Sequence, residues 1–378
     1  MMMKNWILAA FLLLGISQIS NAQKINRDDF AKVRDYVNSL GPMEGHHLKY
    51  IVDTLTRSKT APKAEQVYAI YYWIATNVDV NTRGMRHPGN FNPSASEALN
   101  KRSTNAEGYA NLFKAMMDMS QTRSQVIKGM AKFDARNIGK LSNKWNQHAW
   151  NAVEVDGVWY VLDLPWSAGK TDRKFRYFTP QFTDAWFMTD RELFALSHFP
   201  VDKKWQLLDT PINKSVFTQA PIVGTSAITN EVYPTTGIRR GNIRGKADTT
   251  KKMVFEVGNP SLIQSVSVTN RTSARIPAKY TFDGNMMYVE VPFKTEGDYP
   301  FNIYINDQLA YQYKATVGKA KKKPKPKPQA KAKKKPQPRK PTASKAPTKK
   351  KVAEAKPEKK EKTEKKEKPK KDRKAPQG

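Results

Sequence analysis

Apolar side chains recur at helical spacing through the first third of the chain. In the segment that Pro62 opens, they lie three or four positions apart and fall on one face of a helix, with proline in the favoured first turn. Residues 82–93 are rich in Gly, Pro and Asn, and they are predicted to form a loop. The same spacing predicts helices at 28–40, 48–56, 62–78, 96–100 and 107–119.

After about residue 120 the period changes to the alternation that is typical of β-strands. Asp156 and Gly157 form a hairpin turn between two of the predicted strands. A helical or loop segment at 186–195 closes this part of the chain. Because helices come first and strands follow, the pattern predicts an α+β domain over residues 23–211. The predicted strands lie at 124–131, 151–155 and 158–163.

The next part of the chain, residues 222–317, reads as strand after strand with turns between. This pattern predicts a small β-sandwich. The stretch 296–304 resembles the turn and strand near the end of many immunoglobulin-like modules. The strands expected here include 253–257, 263–268, 287–291 and 301–305.

The first 22 residues have the pattern of a secretory signal peptide. Lys4 supplies a positive start, an apolar run follows, and Ser20-Asn21-Ala22 places small residues at the two positions that a signal peptidase reads. The alternative is a membrane anchor, but the apolar run is short for a span. We therefore expect an exported protein, either periplasmic or secreted.

The chain of 378 residues has a formal net charge of +32, and most of that charge lies at one end. Residues 319–378 contain 27 basic and 6 acidic side chains and almost no apolar residue larger than Ala. Such a segment cannot bury enough surface to order itself, so 318–378 is predicted to be a disordered basic tail.

The basic tail has three candidate roles. It is either a solvated spacer or a contact for anionic envelope polymers or lipid headgroups. Nucleic acid is the third candidate. An export signal and the lack of interleaved aromatic residues both argue against it.

The sequence contains no cysteine. This excludes disulfides, zinc–thiolate sites and any thiol nucleophile. His46 and His47, with His87 or His198, have no supporting carboxylate spacing, so we predict no metal site and no cofactor.

Three stretches carry the candidate chemistry: a loop that enters the helix near Ala106, a strand that begins near His148, and the end of the next strand at Asp163. A group at a helix start lies in a field that favours an anion. A histidine could take its proton, and a carboxylate could orient that histidine. Because His148 and Asp163 flank a tight hairpin, we expect them on one face of the sheet.

These stretches resemble the transglutaminase-like superfamily, which has a papain-like fold, and in particular its kyphoscoliosis-peptidase-like and cytokinesis-protein branches. The resemblance extends over about 61–208 and rests on Gly108-Tyr109, His148-Ala149-Trp150-Asn151 and Asp163-Leu164-Pro165-Trp166. It implies that His148 is the base and Asp163 its orienter. It places Ala106 where the family has its nucleophilic cysteine.

An alanine methyl group cannot be deprotonated, so we expect a non-catalytic protein that uses the old groove to bind a peptide or protein. Trp150, Trp166 and Tyr109 are the candidate binding residues. Two alternatives stay open. One is a divergent protease or acyltransferase that uses a nucleophile other than cysteine, for which Ser103 and Thr104 are candidates. The other is a purely structural domain.

Overall fold

The computed structural model describes residues 30–58, 60–87, 92–142, 146–172, 174–269 and 271–319. The predicted signal peptide at 1–22 and almost all of the predicted tail at 318–378 lie outside the described residues. The described part belongs to one compact unit.

Helices occupy the first third of the described chain, as the spacing predicts. The predicted loop at 82–93 needs a correction, because it begins with a short helix. Asn81 starts that helix by accepting a hydrogen bond from the backbone N–H of Gly84 at 2.7 Å. No helix in the described ranges is long and apolar enough to cross a bilayer. The helices are α1 (Ala31–Leu40), α2 (Leu48–Leu55), α3 (Lys63–Asn77), α4 (Thr82–Arg86), α5 (Ala95–Lys101), α6 (Ala106–Met119), α7 (Leu164–Ala168), α8 (Arg191–Ser197), α9 (Lys214–Gln219) and α10 (Thr225–Thr229).

Strands follow in the middle of the chain and dominate its C-terminal part. The strands are β1 (Asp79–Val80), β2 (Ser103–Thr104), β3 (Ser124–Ala131), β4 (Gln147–Val155), β5 (Val158–Leu162), β6 (Gly169–Thr171), β7 (Phe178–Pro180), β8 (His198–Pro200), β9 (Ile222–Val223), β10 (Val232–Pro234), β11 (Asn242–Lys246), β12 (Thr249–Val257), β13 (Val266–Thr269), β14 (Arg275–Pro277), β15 (Tyr280–Asp283), β16 (Met286–Phe293), β17 (Gly297–Ile305) and β18 (Gln308–Gly318).

The central antiparallel sheet has the order β5-β4-β3-β8. The hairpin between β4 and β5 turns at Asp156 and Gly157, where φ is +50° and +80°. Both values suit the tight type I′ turn that the Asp-Gly pair predicts. β4 begins at Gln147, four residues before the predicted start, and the longer strand places His148 inside the ladder.

Two further sheets form the C-terminal part. One has the order β10-β12-β16-β15, and the other has β11-β18-β17-β13-β14 with β9 also paired to β18. In β16 every second residue is buried, and these are Met287, Val289, Val291 and Phe293. Buried residues of both sheets belong to one apolar cluster, so the sheets share a core.

The central sheet is covered on both faces. One face carries Val153 and Leu162, which pack with the buried side chains of α6 and the other N-terminal helices. The opposite face carries Trp150 and Ala152, which belong to the same apolar cluster as the C-terminal sheets. The core therefore runs without a break past residues 211–222, where the sequence predicts a domain boundary.

A buried lysine at the end of β3 forms hydrogen bonds with the segment that leads into the C-terminal sheets. The Lys132 amine donates to the carbonyl oxygens of Ala220 at 2.7 Å and Pro221 at 3.1 Å, and it lies 5.0 Å from the centre of the Phe217 ring. Burial lowers the pKa of Lys132 well below its usual value, because a charged amine is poorly solvated there.

The tight packing of β3 against β8 leads to a first prediction. A Cβ atom added at Gly129 would overlap the carbonyl oxygen of Phe199, the Cα atom of Pro200 and the ring of Trp150. We expect Gly129→Ala to lower the free energy of unfolding by about 1–3 kcal/mol. Urea unfolding measures this loss.

Gly237→Ala is the matched control, since a Cβ atom added there meets nothing within 4 Å. Equal stability of the two variants would show that β3 and β8 are not packed as described.

Candidate functional site

A fully buried carboxylate, Asp163, stands at the centre of the candidate site. Its Oδ1 atom accepts a hydrogen bond from the backbone N–H of Trp166 at 2.8 Å and thereby caps α7. Its Oδ2 atom lies 2.5 Å from Nε2 of His148 and 2.9 Å from Nε2 of His198. One side chain thus fixes the start of a helix and two imidazole rings.

The strand register explains why these three side chains meet. Asn151 pairs with Leu162 across the hairpin, so Trp150 lies opposite Asp163. His148 lies two residues before Trp150 and points to the same face. His198 comes from the other edge of the sheet, where it opens β8 opposite Ala131.

The electrostatics of the cluster keep the carboxylate ionised. Burial alone would raise the pKa of Asp163, but the charge and hydrogen bond of His148 and the hydrogen bond of His198 outweigh burial, and its pKa lies below its usual range. For His198, burial dominates and lowers the pKa from 6.5 to about 4, although Asp163 opposes this shift. His198 is therefore neutral at pH 7.

The tautomers of the two histidines follow from these contacts. A neutral His198 with Nε2 at an ionised carboxylate must carry its proton on Nε2 and donate it. His148 also directs Nε2 at Asp163, which leaves Nδ1 as the ring nitrogen that is available for proton exchange. This is the arrangement that a base and its orienter require.

The same three residues include the ligand types of a metal site. Their ligand atoms lie within 4.8 Å of one another. However, the separations of 2.5 and 2.9 Å are hydrogen-bond lengths. Ligands about 2.0–2.1 Å from a tetrahedral zinc ion would lie about 3.3 Å apart. The distances between these side chains therefore match hydrogen bonds rather than the coordination of a metal ion.

His148 and Trp166 open onto a cavity of about 1450 Å³, which we call the cleft. The walls come from β1 and α4, from the segments that follow β3 and α7, and from β9 and the turn between β17 and β18. Other residues that line the cleft include Arg86, Lys132, Phe133, Asp134, Arg136, Lys140, Gly169, Lys170, Thr171, Asp172, Lys174, Phe175, Trp186, Ile222, Val223, Asp307 and Gln312.

Ala106 is the first residue of α6, and the Asn105 side chain caps that helix by accepting from Gly108 N–H at 2.9 Å. Glu107 forms an ion pair with Lys128 of β3 at 2.6 Å. Lys128 pairs with the neighbour of His148, so the helix start and the imidazole lie at the same end of the sheet. α6 nevertheless packs on the face opposite His148, and Ala106 is not among the residues that line the cleft.

The family model described as "Transglutaminase-like superfamily" matches residues 49–164. This range contains Ala106 and His148 and extends one residue past Asp163. The chain contains a transglutaminase-like superfamily domain.

Curated relatives match part of the chain. The kyphoscoliosis peptidase of Homo sapiens is 27% identical over 190 residues, which cover 50% of this chain and 28% of the relative. The kyphoscoliosis peptidase of Mus musculus is 31% identical over 147 residues, which cover 39% and 22%. This chain thus spans about a quarter of the length of these relatives.

Among solved structures, the crystal structure of a TGase is 14% identical and has a TM-score of 0.25. The match covers 42% of this chain and 38% of that one. A score this low does not define a fold.

The three candidate binding aromatics have different environments. Tyr109 is fully buried and donates its hydroxyl to the carbonyl oxygen of Val78. Trp150 is 1% exposed and packs beneath the histidine pair. Trp166 is half-buried and lines the cleft. Of the three, Trp166 is therefore the one that a ligand in the cleft could contact.

The two hydroxyl candidates for a nucleophile lie in β2, which pairs with β1 beside α3 and α6. Thr104 is fully buried, and its side chain fills the space where a Cβ atom on Gly108 would project. Neither Ser103 nor Thr104 lines the cleft. A proton transfer from either hydroxyl to His148 would need a rearranged loop.

Sequence reasoning missed His198 as a member of the site. It considered His198 in a discounted metal set with His46, His47 and His87. His47 instead caps α2, with its Nδ1 atom accepting from Tyr50 N–H at 3.1 Å. The signal that could have found His198 is its place directly after the apolar helix α8, at the start of the short strand β8, which was not predicted.

The lowered pKa of His198 predicts how stability depends on pH. As pH falls below 6.5, histidine in the unfolded chain takes up a proton before the buried His198 does, so the folded state loses stability down to about pH 4. The loss is at most about 3 kcal/mol. We expect His198→Gln to have a lower free energy of unfolding at pH 7. The variant should also lack this contribution to the loss of stability between pH 6.5 and pH 4. Urea unfolding between pH 7 and pH 4 measures both effects.

His46→Gln is the control, because His46 is an exposed histidine at the surface. If His198→Gln keeps the full pH slope of the unaltered protein, His198 does not reside in the cluster as a neutral, buried group.

Proposed function

We propose that the transglutaminase-like domain is a non-catalytic binding module whose cleft holds a segment of peptide or protein. The observation that carries this proposal is the His148–Asp163 pair, which is buried with His148 at the cleft, while the sequence has Ala106 where the resemblance places the family nucleophile. The chain has no cysteine that could substitute. Covalent acyl transfer by the family mechanism then has no nucleophile.

The shape and composition of the cleft support a binding role. Its volume of about 1450 Å³ exceeds that of ordinary small-molecule sites, which measure about 300–1,000 Å³. Phe133, Trp166 and Phe175 give it aromatic walls. A peptide is the preferred ligand class because the curated relatives are named peptidases.

Two other functions compete with this proposal. A divergent hydrolase would need Ser103 or Thr104 at His148, and the burial of Thr104 in β2 counts against it. A purely structural role would explain the shared core but not the open, charged cleft beside His148. The binding role accounts for both features.

The parts of the chain outside the described residues fit an exported protein. We propose that residues 1–22 direct export to the periplasm or the exterior, and that the basic residues after 318 hold the protein to anionic envelope polymers or lipid headgroups. We also propose that the two C-terminal sheets form an immunoglobulin-like sandwich.

An introduced thiol tests whether the catalytic geometry survives around Ala106. In Ala106→Cys, an ordinary thiol with a pKa of about 8.5 would be ionised in only about one molecule in 300 at pH 6. Activation by His148 and the start of α6 lowers the thiol pKa into the range of roughly 3.5–7.5. We expect fast alkylation by iodoacetamide at pH 6, slowed at least about tenfold when His148→Ala is added.

Lys63→Cys provides the matched control, since it places a thiol at the first residue of α3, a helix start in another part of the fold. Equal alkylation of the two thiols, with no dependence on His148, would mean that Ala106 does not occupy the nucleophile position. Hydrolysis of peptide by the unaltered protein, abolished by His148→Ala, would overturn the non-catalytic proposal.

The tail proposal predicts retention of the full-length protein on an anionic matrix. The apparent affinity should fall steeply between about 50 and 200 mM salt, because bound counterions are released on association. Deleting the residues after Gly318 removes 27 basic and 6 acidic side chains and should abolish most of the retention. Unchanged retention after the deletion would exclude the tail as the contact.

A further inference from the structure

The cleft is lined by more basic than acidic side chains. The acidic side chains on its walls all have arginine partners: Asp134 pairs with Arg136, Asp172 with Arg176 at 2.8 Å, and Asp307 with Arg275 at 2.5 Å. The basic side chains on the walls are more numerous. They are Arg86, Lys132, Arg136, Lys140, Lys170 and Lys174.

Four of these cations have no counter-charge among the residues that the structure describes. Within the described ranges, Arg86, Lys140, Lys170 and Lys174 form no ion pair, and all four are exposed at the rim of the cleft. Lys132 is left out of this group because burial lowers its pKa. The cleft therefore presents a positive rim to its ligand, which favours an anionic ligand.

The four cations come from different segments of the chain rather than from one. Arg86 ends α4, Lys140 follows the turn after β3, Lys170 lies in β6, and Lys174 lies in the loop between β6 and β7. A compact anion such as a phosphate is held by donors that converge on it. Separate cations instead match a ligand whose negative charges are spaced along a chain.

One edge of β6, at the cleft, has no strand partner among the residues that the structure describes. β6 pairs only with β7 in the described part of the chain, and all three of its residues, Gly169, Lys170 and Thr171, line the cleft. An unpaired strand edge offers backbone N–H and C=O groups to an extended peptide. A sugar polymer with carboxylates would match the charge but not these main-chain groups.

The chain's own tail does not fit this site. Residues 319–378 carry 27 basic and 6 acidic side chains, so a positive rim repels them. The occupant must come from another molecule or from a different segment.

We propose that the cleft binds an acidic peptide, extended along β6, with its carboxylates at Arg86, Lys140, Lys170 and Lys174. This inference rests on the proposed binding function and names its ligand class. Trp166 and Phe133 would pack against the apolar parts of the peptide.

Peptide binding to the full-length protein tests the proposal. The probe is a short capped peptide of alternating Glu and Thr, and its matched control has Gln in place of every Glu. We expect the Glu peptide to bind at least about tenfold more tightly. The advantage should shrink as salt is raised.

Charge reversal locates the contact. The double variant Lys140→Glu/Lys170→Glu should weaken binding of the Glu peptide at least about tenfold. Lys246→Glu/Lys251→Glu should leave it unchanged, because these two exposed lysines lie on the C-terminal sheets outside the cleft. Every protein in the comparison carries the same basic tail, so the difference reports the cleft.

A backbone change in the probe tests the role of β6. An N-methylated version of the Glu peptide should bind about threefold to tenfold more weakly for each main-chain hydrogen bond that it loses. Equal binding of the methylated and unmethylated peptides would overturn the pairing with β6.

The remaining outcomes separate the two proposals. If the Gln and Glu peptides bind alike and Trp166→Ala weakens both, the acidic-ligand inference fails while the binding function stands. If an oligogalacturonate binds with the lysine dependence and the Glu peptide does not, the ligand is a glycan and the inference is overturned. If the protein cleaves the peptide, the non-catalytic function itself fails.

Discussion

The hydrogen bonds of the buried Asp163 carboxylate hold the site together. An ionised carboxylate without solvent costs several kcal/mol unless its oxygens are satisfied, and here three donors satisfy them. Those donors come from three separate elements: β4, α7 and β8. The need to satisfy one carboxylate therefore fixes the relative positions of a hairpin, a short helix and an edge strand.

Much of this arrangement could be predicted from the sequence because it is local. The Asp156-Gly157 turn sets the register of β4 and β5, and the two-residue alternation then puts His148 and Asp163 on one face. Pro62 marks the start of α3, because the ring geometry of proline suits the beginning of a helix. Such signals depend on only a few neighbouring residues, so they can be recognised without knowledge of the fold.

What could not be predicted depends on contacts between distant parts of the chain. His198 joins the site only because β8 pairs with β3, and no local pattern specifies that pairing. The burial of Tyr109 and Trp150 has the same origin, since the helices cover one and the C-terminal part covers the other. Aromatic residues in a motif do not reveal by themselves which side of a sheet stays open.

The amine of Lys132 has a consequence for how such a chain can evolve. Its hydrogen bonds to the Ala220 and Pro221 carbonyls join the transglutaminase-like segment to the start of the C-terminal sheets. A comparison of sequences alone would treat these two parts as separate domains. Recombination between these two parts would leave the buried Lys132 amine without its hydrogen-bond acceptors. It would also expose the apolar face of the central sheet around Trp150. The transglutaminase-like segment and the sheets that follow it are therefore expected to be inherited together, as a single evolutionary unit.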